Sequence, residues 1–178
     1  MTNLSNEDAD YLLKLPKKVF RNDTMLDEVF IQQVFGMKVR HVLASEEDDE
    51  FTFLWEITQS AKNLVRVSLH YQDNDTKIGL LRVDFNSGHK NPENVNEFVP
   101  GKFIPYAGKD FLIQGHHIHY HVQGYSSLAW AVPLSEDEFE IKELNDGANF
   151  NVDFGKIIIL FAKTINLQTN INFGALLL

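Results

Sequence analysis

The stretch FTFLWEITQSAKNLVRVSLHYQDNDTKIGLLRVDF, residues 51–85, decides the fold class of this protein. Apolar side chains take alternate positions in three of its segments, 51–58, 64–71 and 78–85, with polar side chains between them. This period of two is typical of a strand that buries one face. The segment QDNDTK (72–77) has the Asn and Asp residues of a hairpin turn. The stretch therefore predicts an antiparallel meander with one buried face.

Further strands flank the meander on both sides. Period-two alternation runs over residues 37–43 and returns over 116–122 and 128–133. Residues 25–35 fit a helix and a strand equally well, and the acidic run 46–50 is expected to form a solvated turn.

Helices are predicted near both ends of the sequence. Residues 5–20 carry apolar side chains at helical spacing behind a capping Ser5, with a kink or an early end at Pro16. A second helix is predicted at about 153–166 from its single apolar stripe. The sequence thus predicts an α+β fold: a mostly antiparallel β-sheet with an N-terminal helix and a C-terminal helix packed on one face.

The composition sets the size of the fold and excludes several function classes. A chain of 178 residues is expected to form a single domain, residues 1–178. It has no cysteine, which excludes a disulfide scaffold, a thiolate zinc site, an iron–sulfur cluster and a cysteine nucleophile. The net charge of -9 argues against a general nucleic-acid binder and against a protein that binds anionic membranes.

The sequence also predicts where the protein resides. Its first ten residues are polar and acidic, unlike a secretory signal. Its longest apolar stretch, 157–162, is far shorter than the ~20 residues of a membrane span. A cytoplasmic protein with no membrane partner is therefore predicted. The apolar C-terminal segment, through Leu178, is expected either to pack on the core or to form a homodimer.

Residues 86–114 form an unusually long connection between two predicted strands. They show no periodicity and contain three prolines, yet they are too rich in aromatic residues for a disordered linker. We therefore expect a long ordered loop, or lid, packed over the sheet.

The most unusual feature is the strand HHIHYHV (116–122). Its alternation puts the side chains of His117, His119 and His121 on the face opposite the core. The strand 78–85 likewise sends Arg82 and Asp84 away from the core. If the two strands share a sheet, these side chains form one polar surface.

One chemistry that fits this surface is metal binding. His117 and His119 would chelate a cation, with His121 on the same face and Asp84 or His89 completing the site. Imidazole and carboxylate ligands suit Zn or another divalent transition metal.

The other chemistry is general acid–base cleavage of a phosphodiester, which needs no cofactor. Here His117 and His119 are the acid and the base, since imidazole titrates near neutral pH. Arg82 holds the phosphate, and Asp84 and His89 are further catalytic candidates. RNA or another phosphate-containing ligand is then the expected partner.

Two further interpretations remain open. Arg, Asp and His side chains on an outer sheet face can simply be solvated. An acidic, cysteine-free protein with the acidic segments 46–50 and 136–140 can also act without catalysis, as an inhibitor that binds a basic protein partner.

The segments LLRVDFNSGHKNPE (80–93) and HIHYHVQGYSSLAWAVPL (117–134), with the closing helix, resemble an uncharacterised bacterial and phage family. The similarity covers about residues 78–166, although the extended loop 94–114 departs from the family pattern. The matching positions are Arg82, Asp84, His89, His117, His119, Gly124, Tyr125, Trp130 and Pro133.

The sequence is also faintly similar to small toxins of toxin–antitoxin modules, which carry an arginine–aspartate strand followed by paired histidines. These resemblances imply a role in mobile genomes or defence, and the leading hypothesis is a metal-independent, toxin-like endoribonuclease. Both an enzymatic and a non-enzymatic role are compatible with the sequence.

Overall fold

A computed structural model describes residues 4–111 and 115–174 of the protein. Two α-helices and twelve strands lie in these ranges. In chain order they are α1 (Asn6–Lys14), β1 (Lys18–Arg21), β2 (Thr24–Leu26), β3 (Glu28–Ile31), β4 (Lys38–Ala44), β5 (Thr52–Ser60), β6 (Asn63–Asp73), β7 (Gly79–Phe85), β8 (His89–Lys90), β9 (Asp110–Phe111), β10 (His117–Tyr120), β11 (Trp130–Pro133), α2 (Phe150–Thr164) and β12 (Asn170–Phe173).

Eight of these strands form one antiparallel sheet, in the order β11-β10-β7-β6-β5-β4-β1-β2. The central strands β4 to β7 follow one another as a meander, as the alternation predicts. Strand β10 then returns beside β7 and is followed by β11. The predicted α+β fold with a mostly antiparallel sheet is confirmed.

One face of the sheet carries the core. Trp55 on β5 and Trp130 on β11 are fully buried there, as expected from their positions on apolar strand faces. Helix α2 contributes the apolar stripe that contains Phe154, Ile157 and Phe161, all of which are buried. Burial of large apolar side chains is the main stabilising term in such a layer.

The N-terminal helix ends before Pro16, which is the early end that the sequence predicts as one of two outcomes. Ser5 caps it and forms a capping box with Asp8, as expected, but the helix ends at Lys14 and β1 begins at Lys18. The physical reason is Pro16, which cannot continue a helix. The apolar spacing past this point belongs to a strand.

The buried side chain of Lys17 completes the end of α1. Its Nζ donates to the carbonyl oxygens of Leu12 at 2.8 Å, Leu13 at 3.2 Å and Leu15 at 2.5 Å. The carbonyls at a helix C-terminus have no partners within the helix. A cation at this end also complements the helix dipole.

The other uncertain segments are now assigned. Residues 25–35, which fit either helix or strand, contribute to β2 and β3. Helix α2 begins at Phe150, three residues before the predicted start, and its N-cap Asn149 makes no side-chain capping bond. Strand β12 pairs in parallel with β3, so the C-terminal segment packs on its own chain up to Phe173. Residues 175–178 lie outside the described residues.

The long connection after β7 contains three short elements of regular structure. It contains β8, a turn of 3-10 helix at Ile104–Tyr106, and β9, which pairs with β8. Residues 112–114 lie outside the described residues. Among the helices that the structure describes, none is long and apolar enough to cross a membrane.

Candidate functional site

The sheet face opposite the core carries two rows of polar side chains that cross neighbouring strands. We call this surface the polar face. The register aligns one row as Thr58, Ser68, Asp84 and His117. It aligns the adjacent row as Glu56, His70, Arg82 and His119. Directly opposed side chains have Cβ atoms about 5 Å apart, so each row is a line of contacts.

The two ends of the polar face differ in exposure. On β5 and β6 its side chains are only partly buried, whereas His117 and His119 are 0% exposed and Asp84 is 5% exposed. The cover comes from the segment 86–111: His89 and Phe111 pack on the rings of these histidines, and Asn91 binds the backbone of β11. The interpretation of His117 and His119 as a solvated outer face is therefore wrong, because the loop removes them from water.

Asp84, His117 and His119 form a compact cluster beneath this cover. The Oδ2 atom of Asp84 lies 3.1 Å from Nε2 of His119 and 3.5 Å from Nε2 of His117. One ligand atom from each of the three residues lies within 4.8 Å of the others. Two imidazoles and one carboxylate thus converge on a common point.

Arg82 provides the cation that this cluster contacts. Its Nε donates to Oδ2 of Asp84 at 2.7 Å, and its Nη2 donates to Nε2 of His119 at 2.7 Å. The guanidinium therefore bridges two atoms that would otherwise face each other as acceptors. Its side chain is 32% exposed, so it connects the buried cluster with solvent.

The tautomer of His119 follows from its partners. Its Nδ1 donates to the carbonyl oxygen of Leu128 at 2.9 Å, which leaves Nε2 as the lone-pair atom. Leu128 has a φ of 54°, a conformation that costs a bulky residue energy. Such strain recurs at functional sites, and here it aims a carbonyl at the histidine.

His117 has a different environment. Both of its ring nitrogens are buried, and neither has a hydrogen-bond partner among the described residues. Its ring stacks on Phe111 with centroids 5.3 Å apart and lies 5.8 Å from the ring of His89. A buried polar atom without a partner is costly, so this position calls for an explanation.

The protonation states of the cluster have clear causes. Burial lowers the pKa of His119 to about 4, and the nearby Arg82 charge acts in the same direction. Burial of Asp84 opposes its ionisation, but the neighbouring imidazole of His117 and the charge of Arg82 outweigh it and hold the pKa of Asp84 well below the ordinary value. Around neutral pH, His119 is thus neutral and Asp84 is ionised.

The cover is fixed to the edge strand β11 by two side chains. Asn91 accepts from the backbone nitrogen of Ala131 at 2.9 Å and donates to its carbonyl oxygen at 2.8 Å. His89 donates from Nε2 to the carbonyl oxygen of Ala129 at 2.9 Å. Asn91 thus pairs with the edge as a neighbouring strand would, and His89 is held beside His119 with ring centroids 4.4 Å apart.

Two positions of the resemblance hold the loop as well. The hydroxyl of Tyr125 accepts from the backbone nitrogen of Asn96 at 2.8 Å and donates to the carbonyl oxygen of Asn94 at 2.7 Å. Gly124 has a φ of 86°, and a Cβ there would lie 2.6 Å from the side-chain nitrogen of Asn96. Glycine is therefore required where the two segments touch.

The structure brings together most of the predicted site residues, with one exception. Asp84 contacts His117, His119 and Arg82, and the ring of His89 lies beside the rings of His117 and His119. His121 lies beyond the end of β10, outside the cluster, and its Nε2 donates to the carbonyl oxygen of Leu4 at 2.9 Å.

Sequence reasoning missed three contributors, which are Asn91, Phe111 and the Leu128 carbonyl. For Asn91 the available signal is its place in the segment GHKNP (88–92), where Asn followed by Pro is typical of a turn.

The acidic segment 136–140 is only partly a free acidic surface. The carboxylate of Asp137 is buried, accepts from the hydroxyl of Tyr120 at 2.9 Å and lies 3.6 Å from Nζ of Lys102. Phe139 is also buried. Binding of a basic protein partner stays a prediction, with fewer available charges than the sequence indicates.

Two clefts flank the cluster, and Arg82 lines both. The first, which we call the Arg66 cleft, has a volume of about 310 Å³, and Ser60, Arg66, Ser68, Arg82, Asp84 and Ser87 line it. The second, the Lys90 cleft, has a volume of about 580 Å³ and is lined by His89, Lys90 and Ser127 among others. The cluster is thus buried, but Arg82, Asp84 and His89 connect it with clefts that are open to solvent.

The comparisons with known proteins place the chain in a family without adding an activity. A model for a family of unknown function (DUF6978) matches residues 4–167, which is most of the chain. No curated protein and no solved structure gives a significant match.

Proposed function

Because the chain belongs to DUF6978, a family of unknown function, we propose its function from the geometry alone: it binds one divalent transition-metal ion through Asp84, His117 and His119. The single observation that carries this proposal is the buried imidazole of His117, with two unpartnered nitrogens beside a carboxylate and a second imidazole. A metal ion would give this ring the partner that the protein groups around it do not supply.

The protonation states support the same function. A histidine binds a metal ion as the neutral imidazole and an aspartate binds it as the ionised carboxylate. Protons on these groups compete with the metal ion. His119 and Asp84 meet this requirement at neutral pH for the reasons given above. The Leu128 carbonyl adds the outer contact that typically orients a ligating histidine.

The ligand set also limits the type of metal. Two imidazoles and one carboxylate suit Zn, Mn, Fe or Ni better than Ca or Mg, which prefer oxygen ligands. Three protein ligands are typical of catalytic rather than structural zinc sites, because they leave a position for water or substrate. A reactive centre is therefore more consistent with the cluster than a purely structural one.

Arg82 has a defined part in this proposal. Its guanidinium donates to the same Asp84 oxygen and His119 nitrogen that a metal ion would bind. Metal binding therefore requires Arg82 to move away, and the adjoining clefts provide the space. Arg82 therefore competes with a metal ion for Asp84 and His119.

Phosphodiester cleavage in RNA, with His117 and His119 as acid and base, is the second candidate function. The observation that favours it is the position of Arg82, a cation that touches the cluster and faces both clefts. The low pKa and complete burial of His119 weigh against it, since a catalytic acid or base works best with a pKa near the operating pH. A toxin-like role in mobile genomes belongs to this second candidate.

The metal proposal is tested by titrating the untagged, chelator-treated protein with Co²⁺ and recording its visible absorption. We expect one equivalent to bind with a spectrum of mixed nitrogen and oxygen ligation. Asp84→Asn and His117→Gln should each weaken binding by at least about 100-fold, because loss of an outer-shell partner alone costs about 10- to 100-fold and these residues are direct ligands.

The matched control is His121→Gln, because His121 is on the same segment but outside the cluster. This variant should bind Co²⁺ as tightly as the wild type. Equal loss in His121→Gln, or no stoichiometric binding by the wild type, contradicts the proposal. An RNA-cleavage assay on wild type and His119→Gln, run in chelator, then tests the second candidate.

A further inference from the structure

We propose that the Arg66 cleft binds the phosphate group of a phosphate-ester substrate beside the metal centre. This inference rests on the proposed function, because it names the substrate class of that same site.

The side chains that line the cleft are the donors that phosphate requires. Two are arginines, whose planar guanidinium groups match phosphate oxygens with paired hydrogen bonds. Four others carry hydroxyls that can donate to the remaining oxygens; they are Thr58, Ser60, Ser68 and Ser87. The lining therefore offers charge and neutral donors together.

The local charge of the cleft is opposite to that of the chain. Arg66 is exposed and has no carboxylate within 4 Å among the residues that the structure describes. Asp84 is the carboxylate that lines the cleft, and Arg82 already pairs with it. Two cations thus face one paired anion in a protein of net charge -9. An anionic ligand is attracted to this site more than to the surrounding surface.

The strand register places the cleft next to the cluster. Ser68 on β6 is directly opposite Asp84 on β7, and Asp84 is directly opposite His117 on β10. Neighbours in such a row are about 5 Å apart. A phosphate held over Ser68 therefore lies within one residue's width of the metal ligands, as a substrate of that centre must.

Arg82 couples the two sites. The guanidinium that contacts His119 and Asp84 is the same one that lines the cleft. A phosphate that accepts hydrogen bonds from Arg82 draws it away from Nε2 of His119 and leaves that atom free for a metal ion. Because coupling between two binding sites is reciprocal, phosphate ester and metal should each strengthen the binding of the other.

The volume of the cleft favours an ester over the bare ion. About 310 Å³ is at the lower end of the range for small-molecule sites and exceeds what a phosphate alone fills. A small organic group attached to the phosphate is thus expected to contribute to affinity.

The test is isothermal titration of chelator-treated protein with phenyl phosphate and, separately, with inorganic phosphate. We expect phenyl phosphate to bind at least threefold more tightly than inorganic phosphate, and Arg66→Gln to weaken it about tenfold. The matched control is Arg21→Gln, since Arg21 is also exposed and has no carboxylate partner in the described structure but lies on the distant strand β1. Its affinity should stay within twofold of the wild type.

Each other outcome counts against a specific part of the inference. No binding of phenyl phosphate, or equal weakening in Arg66→Gln and Arg21→Gln, overturns the cleft as a phosphate site. Equal affinity for phenyl phosphate and inorganic phosphate would contradict an ester as the ligand and would show that the cleft binds free phosphate.

Co²⁺ titrations separate this inference from the proposed function. Arg66→Gln should retain Co²⁺ binding, and phenyl phosphate should raise the Co²⁺ affinity of the wild type at least threefold but not that of Arg66→Gln. Metal binding without ester binding leaves the proposed function intact and overturns the cleft site. Ester binding without metal binding leaves the cleft site intact and overturns the metal centre.

Discussion

Lys17 and His117 are both fully buried polar side chains, but their surroundings differ in one decisive respect. The nitrogen of Lys17 meets three carbonyl oxygens at the end of α1, and the rings of Phe53 and Tyr71 lie 5.3 Å from it. Both nitrogens of His117 lack a partner among the described residues. Burial alone therefore does not make His117 a candidate ligand; what distinguishes it from Lys17 is that both of its ring nitrogens lack a hydrogen bond and that it lies beside a carboxylate.

A metal ion should therefore stabilise the wild type and Lys17→Met, but not a variant that lacks one of the proposed ligands. At a free Co²⁺ concentration 100 times its dissociation constant, the wild type should gain about 2.7 kcal/mol in the free energy of unfolding, because only the folded state presents the cluster. Lys17→Met should gain the same amount, and Asp84→Asn, which binds at least about 100-fold more weakly, should gain at most about 0.4 kcal/mol. Urea unfolding with and without Co²⁺ measures these values. An equal gain in Asp84→Asn would show that Co²⁺ does not stabilise the protein through the cluster.

Removing the lysine should cost stability directly. Lys17→Met removes the donor to the carbonyls at the end of α1, and we expect a loss of about 2 kcal/mol in the free energy of unfolding in chelator at pH 8. Lys14→Met is the control, since Lys14 is on the same helix but is not buried. If Lys17→Met is as stable as Lys14→Met, the carbonyl contacts have no structural value.

Lys17 should also give stability a pH dependence. Burial lowers the pKa of Lys17 to about 7, whereas in the unfolded chain it keeps its ordinary value of 10.5. Between these values the unfolded chain binds more protons than the folded protein, so this group makes stability rise with pH. The slope is at most about 1.4 kcal/mol per pH unit.

The pH dependence is measured as the difference between wild type and Lys17→Met at pH 8 and pH 9. We expect the difference to widen at the higher pH, because only the wild type gains stability from this group. Parallel curves would show that the pKa of Lys17 is unchanged by folding.

The smallest effect is expected at His117 itself. In chelator, His117→Leu should raise the free energy of unfolding by about 1 kcal/mol, because an apolar side chain has no unpaired polar atoms to bury. The same variant should lose the stabilisation by Co²⁺. Ligand sites often trade stability for function in this way. If His117→Leu is instead less stable than the wild type, then His117, like Lys17, has a structural role.

The polar face shows what the sequence could predict. Alternation in β7 and β10 was enough to put Asp84, His117 and His119 on the non-core face, because their apolar neighbours must face the core. The alternation does not show that the two strands are neighbours, and the pairing of β10 with β7 establishes it. The same alternation grouped His121 with the others, but it holds only within a strand, and β10 ends at Tyr120.

The cover could not be predicted in the same way. Residues 86–111 have no period, and their position depends on single side chains such as Asn91, which pairs with the edge of β11 by imitating a backbone. No local pattern encodes such a contact between positions 40 residues apart. The burial of the histidines, and with it the change from a solvated face to a cluster, therefore became visible only in three dimensions.

The pairing of β12 with β3 has a consequence for how the protein is made. Lys17 bridges to Leu167, and the backbone nitrogen of Val19 donates to the hydroxyl of Thr169, a contact that spans 150 residues. The start of the eight-stranded sheet is thus secured by residues that a ribosome adds long after the meander has emerged. Contacts of such sequence separation slow folding. A growing chain can form its central hairpins during synthesis, but the contact between Val19 and Thr169 forms only after almost the whole chain has been made.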